Sequence, residues 1–558
     1  MIQRASRRAG GAFLEERGVS PEGASAGPRD FDGRAFQERI RMNDRFRFDK
    51  DTAVVETTGG KVRGYAYRGM NIFKGIPYAK ARRFHRPEPV SWEGVRVSAV
   101  YGPICPVMSE WVPGDDLQTP HRYWPKDENC QNLNVWTPGL DDEKRPVLVW
   151  IHGGGHEFGS SIEHIAYDGE NMCFYGQAVV VSLNHRLNIL GYFDVSDFGP
   201  EYENSANAGT DDLIAALRWI RDNIASFGGD PENVTLLGQS GGGMKITELL
   251  QTPEADGLFR KAVNMSGVFP KEVADGLMPE GKESGRKIVE AVLRKMRLGS
   301  VSELETAPYE AFAAAWKAVS PALEKKGFYV GGHGPKKNAF YLGDPLEVGF
   351  RKETSQIPMV VGSTLGEFVS GIPGEADMKK MPLKAQRALL TSIYGKEALA
   401  FEAAFREAYP ERKIGELLTT DFVCRAGVLQ YVSMRGAMND CTYSYLFCQD
   451  TPIYGGRAPA HCADIPYLFH NTCLVPSSQI PRVTPGLERE IFDSLMVFAR
   501  SGNPGTYDLP AWHPVKPGAV STMLFSAHTR EALNHDLALI PQMARAFTPA
   551  LQRLFFGK

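Results

Sequence analysis

Residues 145–155 read RPVLVWIHGGG, and every side chain from Pro146 to Ile151 is apolar. A strand with one solvated face alternates polar and apolar residues, so an unbroken run needs cover on both faces, as in the centre of a parallel sheet. AVVVSLN at 178–184 is a second run of this kind. Beyond it the hydrophobic period becomes helical. The spacing places Thr210 as an N-cap, with Asp211 and Asp212 in the first turn, where the helix dipole favours negative charge. Leu213, Leu217, Ile220 and Ile224 then share one face of TDDLIAALRWIRDNIASF. NVTLLG returns as a strand, GGMKITELLQ leaves as a helix, and KAVNMSG, IPMVVGS and TYSYLFC supply later strands. Strands alternating with helices predict an α/β chain with a doubly wound, large, mostly parallel sheet flanked by helices.

The 558 residues fit one large α/β domain with insertions. Residues 1 to about 50 are polar and glycine-rich, and read as an extension that is partly disordered or draped on the surface. AVVETTGGKVRGYAYRGMNIFKGIPYA, from Ala53, reads as a hairpin followed by another strand. Residues 51–558 are taken as a single domain in which stretches of about 270–350 and 370–435 are helical insertions capping the sheet. Ile288, Val292 and Met296 step along one face of the first. The net charge of -3 gives no basic footprint for nucleic acid, and no apolar run reaches the length of a membrane span. The first residues lack the apolar core of a signal peptide, which predicts a cytoplasmic chain, with secretion open if this start is not the native one. Eight cysteines without a CxxC pair are too few for a disulfide scaffold.

The chemistry concentrates in TLLGQSGGGMK, residues 235–245. Gly-x-Ser-x-Gly alone is weak evidence, since chance supplies on the order of 0.3 matches in a chain of this glycine content. Here, however, it falls where a strand turns into a helix, the arrangement that presents a serine hydroxyl at the top of a sheet. Gly238 and Gly242 suit a turn in which strand and helix approach without side chains. Ser240 is therefore the candidate nucleophile; a turn serine without chemistry is the alternative. A serine attacks only if a base takes its proton and donors stabilise the oxyanion. The glycines after IH supply such donors at the same sheet edge: the N–H groups of Gly154, Gly155 and Gly241 can converge on one oxygen.

HGGG, NHRLNILGYF and NAGTDDLIAALRWIRDNIASFGGDPENVTLLGQSGGG together resemble the type-B carboxylesterases, the cholinesterase-like branch of the α/β-hydrolases. GIPYAKARRFHRP and YGPICP…ENCQNLNVWTP resemble that family's N-terminal landmarks, and PAHCADIPYLF, SGNPG and LPAWHP its C-terminal ones. The resemblance covers roughly residues 53 to 545. It implies an α/β-hydrolase fold and a serine esterase that needs neither metal nor organic cofactor and takes a small-molecule ester.

His461 lies in a loop after the TYSYLFC strand and matches the family's catalytic-histidine segment, whereas His152 belongs to the glycine loop and is read as orienting it. Glu367, at the end of another strand, stands where the family carries its acid; Asp421 and Asp464 compete for the role. Ser240, Glu367, His461 is the chain order of α/β-hydrolase triads. A non-catalytic cholinesterase-like binding protein is the competing class, and an amidase, a lactonase or a dedicated natural-product or xenobiotic esterase would share the mechanism. The sequence departs from the family in three places. Gln239 replaces a glutamate before the serine, and Gly241 an alanine after it; the lost charge points to neutral rather than cationic esters. His156 stands where phenylalanine is common and is expected, with Gln239, Trp111, Trp124 and Phe158, to border the substrate pocket. Cys105 and Cys130 match a disulfide of secreted relatives, which would close a loop of about 25 residues and contribute up to ~3 kcal/mol.

Overall fold

The computed structural model describes residues 45–108, 119–270, 284–368 and 380–546. Its strands, in chain order, are β1 (Val54–Thr57), β2 (Gly60–Arg63), β3 (Tyr65–Tyr67), β4 (Met70–Pro77), β5 (Val95–Val97), β6 (Asn132–Thr137) and β7 (Arg145–Ile151). They continue as β8 (Val179–Leu183), β9 (Gly229–Gln239), β10 (Lys261–Met265), β11 (Met359–Thr364), β12 (Thr442–Phe447), β13 (Ser521–Phe525) and β14 (Arg530–Leu533). β1, β2 and β5 form a small sheet; the others make one of eleven strands in the order β14-β13-β12-β11-β10-β9-β7-β8-β6-β4-β3. From β8 to β13 all neighbours are parallel. The outer pairs are antiparallel on both flanks. This is an α/β-hydrolase fold.

β7 shows why the apolar run belongs at the centre. Val147, Val149 and Ile151 join Leu213, Leu217, Ile246 and Leu249 on one face. Leu148 and Trp150 join Met172, Phe469 and Leu495 on the other. Each such side chain, fully buried, contributes about 1.5–3 kcal/mol. Helix α1 (Ala208–Asn223) covers the first face, and with its N-cap at Asn207 it begins three residues earlier than a Thr210 cap predicts. A short 3-10 turn at Ser205–Asn207 runs straight into it, so Thr210 is already inside the first turn and spends its hydroxyl on Glu248 Oε2 at 3.2 Å. Helix α2 (Gly241–Leu250) follows β9.

The first insertion contains α3 (Arg286–Met296) and α4 (Tyr309–Glu324), which close a separate apolar cluster over Phe84, Leu190 and Phe193. The second contains α5 (Leu383–Tyr394), α6 (Ala398–Ala408) and α7 (Val423–Gly436), whose apolar faces merge with the main core. Two buried ion pairs pin distant segments, Arg186 to Asp212 at 2.7 Å and Arg425 to Asp536 at 2.7 Å. Removing one partner of such a pair costs about 3–5 kcal/mol. Most of the predicted N-terminal extension lies outside the described residues; within it, Arg47 exchanges two backbone hydrogen bonds of 2.9 Å with Ala66 along the outer side of β3.

Candidate active site

β9 ends at Gln239 and α2 begins at Gly241, leaving Ser240 at φ 56°, ψ -125°. A non-glycine residue in this region costs of order 1–3 kcal/mol and persists only when its surroundings force it. The forcing is visible here. Ser240 N–H donates to Met265 O at 2.8 Å, and its carbonyl accepts from Met244 N–H at 3.1 Å. A Cβ on Gly238 would meet the Gly242 carbonyl at 2.5 Å, and one on Gly242 would meet Ile151 O at 2.0 Å. Strand and helix therefore touch backbone to backbone, and the serine is thrust out at the sheet's carboxyl edge.

The loop after β7 arrives at the same point. Gly154 and Gly155 have φ values of +85° and +58°, which reverse the chain. A Cβ on Gly241 would lie 2.3 Å from Gly155 O, so only glycine at 241 lets this loop approach so closely. Among the described residues the N–H groups of Gly154, Gly155 and Gly241 donate no hydrogen bond. That leaves three donors open beside Ser240. His152 braces the loop, its Nδ1 2.9 Å from Gly153 O and its ring stacked on His185; burial pushes its pKa far down, so it is neutral.

His156 does not border the pocket. The reversal at Gly154–Gly155 returns the chain inward, and the buried imidazole bonds through Nε2 to Glu248 and packs edge-on to Tyr192.

His461 bonds through Nδ1 to Glu367 Oε2, and its backbone N–H donates to Glu367 O at 3.1 Å. The other carboxylate oxygen of Glu367 accepts from Ser266 Oγ and from Thr364 N, each at 2.6 Å. Glu367 is thus fixed by two donors on one carboxylate oxygen, and with the other oxygen it fixes the imidazole. The competing acids are turned elsewhere. Asp421 caps α7 through Val423 N and Arg425 N, and burial, with Glu367 adjacent, raises its pKa. Asp464 accepts from Tyr445 Oη at 2.7 Å, and burial pushes it up to about 6.

Gln239 is likewise not a pocket wall but lies buried beneath the imidazole. Its Nε2 is 3.1 Å from His461 Nε2, and its Oε1 accepts from Cys462 Sγ at 3.3 Å. With Nδ1–H given to the carboxylate, Nε2 carries the lone pair a general base needs, and here that lone pair accepts from the Gln239 amide. None of the described hydrogen bonds joins Ser240 Oγ to His461; such catalytic contacts commonly close only when substrate binds.

Trp124 and Phe158 share a pocket of about 220 Å³ with Ile104, Val107, Tyr123 and Glu163. Trp124 packs edge-on to Tyr101, and the Phe158 backbone and ring lie against Gly154, so this pocket opens beside the glycine loop. Trp111 lies outside the described residues. Cys105 and Cys130 come together as two buried thiols; burial and a hydrogen bond that the Cys130 thiol donates to Cys105 raise the Cys130 pKa.

Three further contributors stand behind these residues: Ser266 behind Glu367, Cys462, within PAHCADIPYLF, behind Gln239, and Glu163, whose pKa burial pushes up to about 8. Ser266 has a positional signal in the sequence, because it directly follows the strand of KAVNMSG at the same sheet edge as Ser240.

A carboxylesterase family model matches residues 51–539. A para-nitrobenzyl esterase of Bacillus subtilis (strain 168) is 32% identical over 475 residues, spanning 82% of this chain and 92% of that protein. A phenmedipham hydrolase of Pseudarthrobacter oxydans is 30% identical, with the same shares covered. Among solved structures, an esterase from anaerobic Clostridium hathewayi that can hydrolyze aliphatic aromatic polyesters superposes with a TM-score of 0.86 at 43% identity, over 90% of this chain and 100% of that one.

Proposed function

The chain belongs to the carboxylesterase family and is a carboxylic ester hydrolase, and on that premise we propose that it works through Ser240, His461 and Glu367 on neutral esters. His461 Nε2 takes the Ser240 proton as Oγ attacks the ester carbonyl. The N–H groups of Gly154, Gly155 and Gly241 receive the oxyanion. Collapse of the tetrahedral intermediate breaks the C–O bond, and the alcohol leaves with the proton from His461. Water, deprotonated by the same imidazole, then attacks the acyl-enzyme and releases the acid, while Glu367 holds the tautomer and stabilises the imidazolium. The observation that carries this reading is Ser240 at φ 56° beside three open N–H donors, with a carboxylate-oriented histidine at the same sheet edge.

Preference for neutral esters rests on charge. Gln239 places an amide where a carboxylate would sit under the imidazole, and Arg122 and Lys126 line the neighbouring pocket. Glu163, with its pKa near 8, is mostly protonated at neutral pH and offers a cation little attraction. Tyr123, Trp124 and Phe158 favour an aromatic or aliphatic group in that pocket.

A fluorophosphonate probe is expected to label wild type at Ser240, and Ser240→Ala or His461→Ala to abolish nearly all hydrolysis of a short p-nitrophenyl ester. Wild-type protein that neither takes the label nor cleaves any short ester overturns the proposal.

A further inference from the structure

Lys245 follows Ser240 on α2 and is completely buried. Its neighbours on the helix, Met244, Ile246, Leu249 and Leu250, are apolar. Its Nζ donates to the carbonyl oxygen of His152 at 3.2 Å. Among the described residues no carboxylate lies within ion-pair distance of this ammonium: Glu248 on the same helix is engaged with His156 and Thr210. A buried ammonium held by a single carbonyl is costly, and a methionine of similar volume would fill the space without that cost. The charge therefore detracts from stability and calls for another reason to be there.

Its position supplies one. His152 is the residue from which the glycine loop departs, and the Gly242 backbone packs on the same carbonyl, a Cβ there falling 3.1 Å from His152 O. The ammonium thus grips the root of the glycine loop that packs beside Ser240. We propose that Lys245 is a positioning residue of the oxyanion hole, anchoring the loop at residues 152–155 from behind and adding positive potential where negative charge develops during ester cleavage. This rests on the esterase reading above.

The groups facing Lys245 are Glu248 on its own helix, Glu163 beyond the glycine loop, the His152 and His185 rings at the ends of β7 and β8, and the Cys105 thiol. Both imidazoles are held neutral by burial and by this ammonium, so neither replaces its charge. Burial lowers the lysine to about 8. Its ammonium is present below that pH and lost above it, so turnover should fall as pH rises through this value.

The test measures kcat and KM separately for Lys245→Met on a p-nitrophenyl ester, together with affinity for an aryl trifluoromethyl ketone, whose adduct with Ser240 carries the oxyanion. Expected are a kcat lower by about 10- to 100-fold, a KM within about two-fold, ketone affinity reduced in parallel with kcat, and a melting temperature equal to or above wild type. A folded variant with unchanged kcat, or with only KM altered, overturns the proposal. If the variant does not fold, the pH profile of Glu163→Gln decides, since it removes the other group near 8: kcat falling through about pH 8 at constant KM supports the proposal, and a flat profile into the lysine range overturns it. A wild type that is inactive and unlabelled by fluorophosphonate overturns the esterase reading and this one together, whereas an active wild type beside an unimpaired Lys245→Met overturns this one alone.

Discussion

Where β9 turns into α2, backbone touches backbone: Gly238 on Gly242, Gly242 on Ile151, Gly241 on Gly155. Beside the glycine loop, the pocket around Trp124 and Phe158 is a wall of side chains carried by loops, with rings, cations and a carboxyl interleaved. Backbone contacts leave almost no freedom in where the serine and the glycine N–H groups sit. A wall of side chains can be remade one residue at a time without moving them. On the proposed reading, the reaction is set by the sheet and its turns, and the choice of substrate by loops that the sheet does not constrain.

Substitutions in the two walls should differ in kind as well as in size. Glu367→Gln keeps the shape but presents an amide to His461 Nδ1, favouring the wrong tautomer; kcat should fall by about 10²–10⁴, with KM nearly unchanged in steady-state assays. Gly241→Ala drives a methyl into the Gly155 backbone at 2.3 Å. The loop must withdraw, and kcat should fall by about 10- to 100-fold while Ser240 still reacts with fluorophosphonate. If Gly241→Ala leaves kcat intact, the backbone wall is more compliant than its contacts imply. Trp124→Ala, in the other wall, should shift KM among aryl and alkyl esters by about 10-fold or less, the scale of one apolar contact, with kcat on the smallest ester within about three-fold.

Asp464→Asn separates a neighbour of the site from a member of it. Burial raises this carboxyl to about 6, so folding favours the protonated form. That contribution is complete below the unfolded carboxyl range and is lost as pH rises through about 6. At neutral pH the charged form works against the fold, by an order of 2–3 kcal/mol. The amide still accepts from Tyr445 and carries no charge. Its advantage in denaturant melts should therefore grow between about pH 4 and pH 6 and then level off, with activity changed by no more than a few-fold.

The same division governs what could be read from the chain alone. Continuous apolar runs announce β7 and β8 because burial on two faces leaves no room for polar residues. The glycines around Ser240 announce a close approach because only glycine permits it. Thr210 misleads because a cap depends on where the preceding turn ends, and the turn at Ser205–Asn207 leaves no local mark. His156 and Gln239 read as pocket residues because they adjoin the reactive groups in sequence; the reversal at Gly154–Gly155 and the placing of Gln239 beneath His461 turn both inward. Lys245 serves a partner far from it in the chain, and sequence order does not encode such a meeting. A lysine within the apolar run GGMKITELL was nonetheless a trace, since a buried charge needs a reason.

An eleven-stranded sheet ends in two rims, and each rim is backbone that another chain can extend. Here the outermost strands are the three residues Tyr65–Tyr67 and the four residues Arg530–Leu533. Arg47 already occupies the outer hydrogen bonds of Ala66, and Arg530 and Glu531 put opposite charges at the head of the other rim. The ladder thus offers a neighbouring molecule only a short and partly filled template. Protection against strand-by-strand aggregation is settled at this periphery, by a few residues remote from catalysis.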